Sequence, residues 1–401
     1  MVPYFYKVPF NVPSWYTKTF WELGRCIISG KVINGKELHD LQSTLSSMFP
    51  GKAIYLLSSG RYALELALQG VGVKPGDEVI LPSFCCSAVI MAILRVGGIP
   101  VFSDSGQDLN VTSETIGASI TQKTKAVVVP HMFGNPADIP GILQVCASKG
   151  IKVIDDAAQA LGVRIRGESA GSFGDVGVGS FGKGKICFGT GGGWVIVPKG
   201  NEWSFLEDIQ WNDEAVFKKI QASLSTVMWR RWSKWTLPLR VIMSKWKGGI
   251  SDSSGYIQAR MANLDSAIAL TLLERIEENI LFRRERAHLY QELLKSTGRI
   301  QLIPYRAGSV YLSQVASLQT SEPTDVDKML QTLRDEGFAL NRSYTPLHIQ
   351  PRFQQYRRRP LPIVDKIWPF LFELPCEPGV RIKHVRSICS LIGKETEKVN
   401  G

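Results

Sequence analysis

Lys152-Val153-Ile154-Asp155-Asp156-Ala157-Ala158-Gln159 is the stretch from which the rest of the chain can be read. A short apolar run without polar alternation is the pattern of a strand buried on both faces. Two carboxylates end it, and the small residues that follow allow close backbone approach. An acid at the carboxyl end of a central strand can pair with a cationic ring nitrogen. The alternative is a helix N-cap by Asp155 or Asp156.

Working outward, residues 53–57, 78–81, 100–102, 126–129 and 194–197 also read as short apolar strands, and 62–68, 88–95 and 142–147 as helices between them. Strands alternating with helices predict an α/β fold with a mostly parallel central sheet covered by helices, and ligands at the strands' carboxyl ends. Beyond residue 250 the pattern changes. One long amphipathic helix over 263–294, a strand at 310–312 and a last helix near 385–392 predict a smaller C-terminal α+β domain. The expected division is a large domain over 1–250 and a small one over 251–401. The large domain opens with an aromatic-rich lead-in, followed by a helical pattern around Leu38, Leu41, Leu45 and Met48.

Composition narrows the class. The 401 residues are 44% hydrophobic and 21% charged, which suits a globular chain of two domains. Seven cysteines, an odd number without a CxxC pair, predict reduced thiols in a cytoplasmic protein. Residues 1–7 lack the basic start and apolar run of a secretory leader, and no apolar run is long enough to span a bilayer. The five histidines are scattered, so no metal site is expected. The net charge of +11 is concentrated: residues 217–247 hold eight Lys and Arg, no acid, and Trp229, Trp232, Trp235 and Trp246. Such a composition fits either a surface insert that packs its tryptophans on the protein or a helix lying on an anionic membrane. No groove-reading motif accompanies it, so nucleic acid is not an expected partner.

Two further segments carry chemistry. Ser58-Ser59-Gly60-Arg61 is a turn between strand and helix, where free backbone N–H groups and hydroxyls can receive a phosphate. Ser180-Phe181-Gly182-Lys183-Gly184-Lys185, followed by 189–193 (Gly-Thr-Gly-Gly-Gly), sets a lysine in a glycine-rich surround. A lysine nucleophile must be neutral, which desolvation and a nearby cation promote. The Walker pattern is absent, because neither Lys183 nor Lys185 is followed by Ser or Thr.

These segments, in this order, resemble the DegT/DnrJ/StrS family of sugar aminotransferases, which depend on pyridoxal 5′-phosphate and have the type I aminotransferase fold. The likeness also covers Lys125-Ala126-Val127, His131, residues 171–175, Tyr256, Arg260-Met261 and Tyr344-Thr345-Pro346-Leu347-His348. It implies that Lys185 is the cofactor's covalent anchor, since it stands five residues after Ser180 and seven before Gly192, as Lys183 does not. It implies that Asp156 pairs with the cofactor's ring nitrogen and Gln159 with its phenolic oxygen, while Ser59, Gly60, Arg61 and Ser180 surround its phosphate. Cys86 stands where the family commonly stacks an aromatic ring, with Phe84 as the alternative support. Gln258 is the nearest polar candidate for a residue that reaches the partner subunit's phosphate in a homodimer, and His131 and His348 are candidates for the substrate site. The implied reaction moves an amino group, with glutamate as donor, to a keto-sugar nucleotide. Alternatives are a sugar dehydratase of the same fold, in which histidine replaces the lysine, and a non-catalytic membrane-surface protein.

Overall fold

The computed structural model describes residues 6–8, 14–211 and 256–398. The basic segment 217–247 therefore lies outside the described residues, as does the expected division at 250–251.

Nine strands precede residue 211: β1 (Lys52–Leu57), β2 (Glu78–Pro82), β3 (Ile99–Ser103), β4 (Thr124–Pro130), β5 (Lys152–Asp156), the small hairpin β6 (Arg164–Ile165) and β7 (Glu168–Ser169), β8 (Val176–Ser180) and β9 (Gly193–Pro198). Seven of them form one sheet in the order β1-β9-β8-β5-β4-β2-β3. The pairs from β8 through β5, β4 and β2 to β3 are parallel, and β9 runs antiparallel to both of its neighbours. The stretch 152–156 is thus the central strand. Its Val153, Ile154 and Asp155 are buried to 1% exposure or less, as its unbroken apolar run predicts.

The sequence reading missed β8, Val-Gly-Val-Gly-Ser, because its glycines hide the strand pattern. The structure explains them. A Cβ on Gly179 would lie 1.9 Å from the indole of Trp194, so the paired strand's largest side chain occupies the space a side chain would need.

Helices cover the sheet, among them α1 (Thr17–Ile28), α2 (Lys36–Met48), α3 (Gly60–Gly70) and α4 (Ser87–Arg95). The single helix expected over 263–294 is two, Asn263–Leu273 and Ile276–Leu294, broken at Arg275 (φ −120°, ψ 23°). The break lets the chain change cores. Leu272, Ile276 and Ile280 pack in the large unit beside Trp194, whereas Ala287, Tyr290 and Leu294 pack with Ala316 and Leu330. Asn263–Leu273 packs against α1 and α2, and its Asn263 amide donates to Glu37 Oε2 at 2.8 Å. That helix belongs to the core of the large unit although it follows residue 251.

The second unit has an antiparallel sheet of β10 (Ile300–Leu302), β11 (Ser313–Leu318) and β12 (Leu371–Pro375), covered by helices Thr324–Asp335 and Ile382–Lys398. The strand expected at 310–312 is instead the approach to β11. Tyr311 has φ +52°, which no strand accommodates, and the Val310 and Leu312 amides donate to the carbonyls of Gly134 and Phe133. That contact joins the small unit to the edge where the strands of the large sheet end.

Candidate active site

A cavity of about 950 Å³ opens at the carboxyl ends of β1, β2, β4, β5 and β8, with loops of the small unit as its far wall. It is at the upper end of the range for small-molecule sites. Ser59, Gly60, Arg61, Cys86, Asp156, Gln159, Ser180, Lys183 and Lys185 all line it, so segments scattered over some 125 residues meet in one place.

The two carboxylates of β5 have different tasks. Asp155 is fully buried and accepts from His131 Nε2 at 2.7 Å, from the Gly171 amide at 2.7 Å and from the Phe173 amide at 3.0 Å. His131 Nδ1 accepts the Ala137 amide at 2.9 Å, so the ring proton sits on Nε2 and is donated to Asp155. Asp156 instead faces the cavity. Burial raises its pKa, against the Ala158 amide bonded to Oδ1 at 2.9 Å and the nearby Lys185 charge. A cationic nitrogen placed beside it would offset that desolvation and restore the carboxylate.

The lysines separate in the same way. Lys185 is half-buried and acts electrostatically on Asp156, whereas Lys183 is exposed on the cavity rim. The Lys185 amide closes a turn onto the Gly182 carbonyl, which holds it at the end of β8.

Ser59 caps α3, its Oγ accepting the Tyr62 amide at 3.3 Å, and the first amides of that helix have no intrahelical acceptor. Ser180 Oγ accepts the Gly182 amide at 3.1 Å, leaving its own proton to donate. A Cβ on Gly60 would stand 2.7 Å from Ser180 Cβ, so only glycine lets the helix start and the serine converge on one small cradle. Helix N-terminus and two hydroxyls together suit a phosphate. Gln159 Oε1 accepts the Phe133 amide at 2.9 Å, which orients the side chain and leaves its NH₂ as donor for an oxygen in the cavity. A phosphate cradle, an acid for a ring nitrogen, an amide donor and a lysine on one cavity wall fit pyridoxal phosphate.

Other expected positions need correction. His131 is fully buried with both nitrogens engaged, and does not reach the cavity. His348, 1% exposed, bonds Ser83 Oγ through Nδ1 and Asp365 Oδ1 at 2.7 Å through Nε2, so it latches the 345–350 loop to the end of β2. Neither histidine lines the cavity. Phe84 is 1% exposed and packs behind the cavity on Phe133 and Tyr344, so it cannot replace the missing aromatic face, whereas Cys86 does line the cavity. Gln258 is exposed, bonded to Glu65 Oε1 at 3.0 Å, and lies outside its own cavity lining.

Residues that the sequence reading overlooked complete the wall: Arg95, Ser313, Asn341, Ser343, Glu373 and Glu377. Arg61 and Arg95 flank the Tyr256 ring at 5.8 and 4.5 Å. Glu373 on β12 accepts from Ser313 Oγ at 2.9 Å and from Ser343 Oγ at 3.3 Å. Burial pushes its carboxyl up to about 7, the two hydroxyls opposing this and Glu377 adding to it. A charged residue inside the apolar strand Leu-Phe-Glu-Leu-Pro was the available signal.

Two predictions arise here. His131→Ala should lower stability by about 2–3 kcal/mol, because it leaves a buried Asp155 oxygen without its donor, and should leave KM for the substrate in place. Thermal unfolding and steady-state kinetics check both parts. For Glu373, the folded protein keeps a proton between its ordinary 4.5 and about 7 that the unfolded chain has released. Stability contributed at this site therefore falls as pH rises through that window. Glu373→Gln stays neutral, so its Tm relative to wild type should climb from pH 5 to pH 8. A constant difference across that range contradicts the raised carboxyl.

The fold and site together define a pyridoxal phosphate-dependent aminotransferase. Comparison with known proteins narrows the class. Residues 17–393 match the DegT/DnrJ/EryC1/StrS aminotransferase family, and the chain belongs to that family. GDP-perosamine synthase of Vibrio cholerae is 27% identical over 377 residues, which cover 92% of this chain and 94% of that protein. A UDP-N-acetyl-3-dehydro-α-D-glucosamine 3-aminotransferase of Acidithiobacillus ferrooxidans is 29% identical over 84% of this chain and 82% of its own length. Among solved structures, an aminotransferase of Streptoalloteichus hindustanus superposes with a TM-score of 0.78 at 22% identity, covering 98% of this chain and 100% of that one, and shows the shared fold. The cofactor is pyridoxal 5′-phosphate, consistent with solved neighbours in PLP form.

Proposed function

We propose that this protein transfers an amino group from glutamate to the carbonyl carbon of a keto-sugar nucleotide, for the synthesis of an amino sugar destined for surface polysaccharide. The observation that carries the reading is the convergence of Asp156, Lys185 and the Ser59–Gly60–Ser180 cradle on one cavity. The names of the relatives supply the substrate class.

Bound pyridoxal phosphate supplies an electron sink for the carbanion that forms at the amino-bearing carbon. The protein's part is positional. Asp156 would hold a proton on the ring nitrogen, and the Gln159 amide would donate to the phenolic oxygen. Ser59, Ser180 and the first amides of α3 fix the phosphate, and Arg61 adds charge. Lys185 Nζ would anchor the cofactor and would serve as the base that takes the proton from the donor's α-carbon. In the second half-reaction it returns a proton to the sugar carbon. A dehydratase of this fold would carry histidine in place of Lys185, and the lysine disfavours that alternative.

The test is incubation with glutamate and a keto-sugar nucleotide, with the product read by mass spectrometry and 2-oxoglutarate measured independently. Formation of 2-oxoglutarate without an aminated nucleotide would remove the sugar assignment and leave the aminotransferase.

The reading extends to assembly and place. A cytoplasmic homodimer, with the exposed Gln258 directed at the partner's cofactor phosphate, fits its position outside its own cavity. Among the described residues no helix is long and apolar enough to cross a membrane. The acid-free segment 217–247 supports peripheral docking on an anionic leaflet, where each basic residue contributes on the order of 1 kcal/mol. Liposome flotation should then require anionic lipid and weaken with salt. A wild type that stays with the soluble fraction at low salt removes the membrane contact.

A further inference from the structure

The cavity lining carries charges of both signs. Arg61, Arg95, Lys183 and Arg352 lie in its lining, with Arg61 and Arg95 beside Tyr256. Arg342 lines it too, but its guanidinium is directed to Asp327 and to the carbonyls of Pro323 and Pro369. The small-unit wall carries Glu373 and Glu377.

On that wall Ser313 and Ser343 each spend their one hydroxyl proton on Glu373, and both serines line the cavity. The remaining lone pairs of the two serines and of the carboxylate are acceptors. Once ionised above about 7, the Glu373 carboxylate presents only acceptors, which take hydroxyl donors and turn away phosphates. A keto-sugar nucleotide has neutral donors on its base, its ribose and its sugar ring, and of these the ring hydroxyls are the ones that accompany the reacting carbonyl into the cavity.

We propose that Glu373, held between Ser313 and Ser343, is a specificity-determining residue that binds ring hydroxyls of the acceptor sugar, so that this enzyme selects keto sugars hydroxylated next to the carbonyl over their deoxy counterparts. The proposal rests on the sugar-nucleotide reading above. It places the diphosphate beside Arg61 and Arg95 and the sugar against Glu373. A deoxy sugar leaves the acceptors of that wall unpaired, and such sites discriminate more strongly than apolar pockets do.

The experiment measures binding without turnover. The holoenzyme, with no amino donor present, is titrated calorimetrically with a nucleotide-linked 4-keto-6-deoxyhexose and with its 3-deoxy counterpart, on GDP, UDP and dTDP carriers. Wild type should bind the hydroxylated sugar at least about tenfold more tightly. Glu373→Gln and Ser343→Ala should lose that preference, while their affinity for the bare nucleoside diphosphate stays at the wild-type value. Circular dichroism and cofactor absorbance establish that each variant is folded and loaded, and if Glu373→Gln is not, Ser343→Ala carries the same expectation alone. A preference that survives in the folded variants overturns the assignment to Glu373. Equal binding of the two sugars by wild type overturns the selectivity. A wild type that consumes glutamate but binds none of these nucleotides overturns the sugar-nucleotide reading, and this proposal with it.

Discussion

Lys185→Ala should eliminate measurable amino transfer and covalent retention of the cofactor, while Lys183→Ala should keep a substantial part of both. The two lysines stand two residues apart and both line the cavity, so a generic loss of positive charge would affect them alike. Their surroundings differ. Lys185 is half-buried and acts on Asp156, which brings its amine to the acid that serves the ring nitrogen, whereas Lys183 projects at the exposed rim. Proton transfer by a positioned base alone is worth about 10²–10⁴ in rate. Lys185 is also the proposed anchor, so the combined loss should exceed that range. Borohydride reduction followed by peptide mass mapping locates the modified lysine directly. A cofactor adduct found on Lys183 in the wild-type protein would reverse the assignment.

Asp156→Asn should retain cofactor and fold but lower kcat by roughly 10²–10³, the loss expected when one preorganised electrostatic partner is removed. Asparagine keeps the shape of the carboxyl and can still accept the Ala158 amide, so local geometry is preserved. What disappears is the negative charge proposed to keep a proton on the ring nitrogen. Asp155→Asn provides the contrast. Asp155 accepts from His131 and from the amides of Gly171 and Phe173, beneath the cavity floor. Its replacement should appear mainly as a fall in Tm, with the surviving folded enzyme near normal. Near-normal turnover in Asp156→Asn would mean that the carboxylate does not serve the ring.

Much of the site was legible because its chemistry is local in the chain. An apolar run ending in Asp155-Asp156 reads as a strand with acids at its tip. Ser59-Gly60 reads as a helix start, and Ser180 to Lys185 as a lysine beside a glycine-rich turn. Each pattern spans fewer than ten residues, and the alternation of strands and helices orders them along one sheet edge. The strands read at 53–57, 126–129 and 152–155 end within a residue or two of the observed ones for the same reason.

Tertiary structure decided what depends on neighbours distant in sequence. Which of two adjacent aspartates faces the cavity follows from His131 and from the 171–173 loop, which claim Asp155. His131 and His348 have the chemistry of substrate ligands and are used instead as buried struts, because partners at Asp155, Ala137, Ser83 and Asp365 engage both nitrogens of each ring. β8 was hidden because its glycines answer to Trp194 across the strand pair. The acidic wall is the clearest case. Ser313, Ser343 and Glu373 lie on separate elements of the small unit, and nothing in their local sequence brings them together. The sequence by itself determined most of the parallel strands and the helix start at Ser59-Gly60, since short-range periodicity and turn chemistry encode these, while the choice of Lys185 as anchor came from the family resemblance. Only the tertiary structure decided which polar groups face the substrate, because burial and hydrogen-bond partnership are properties of packed pairs rather than of single residues.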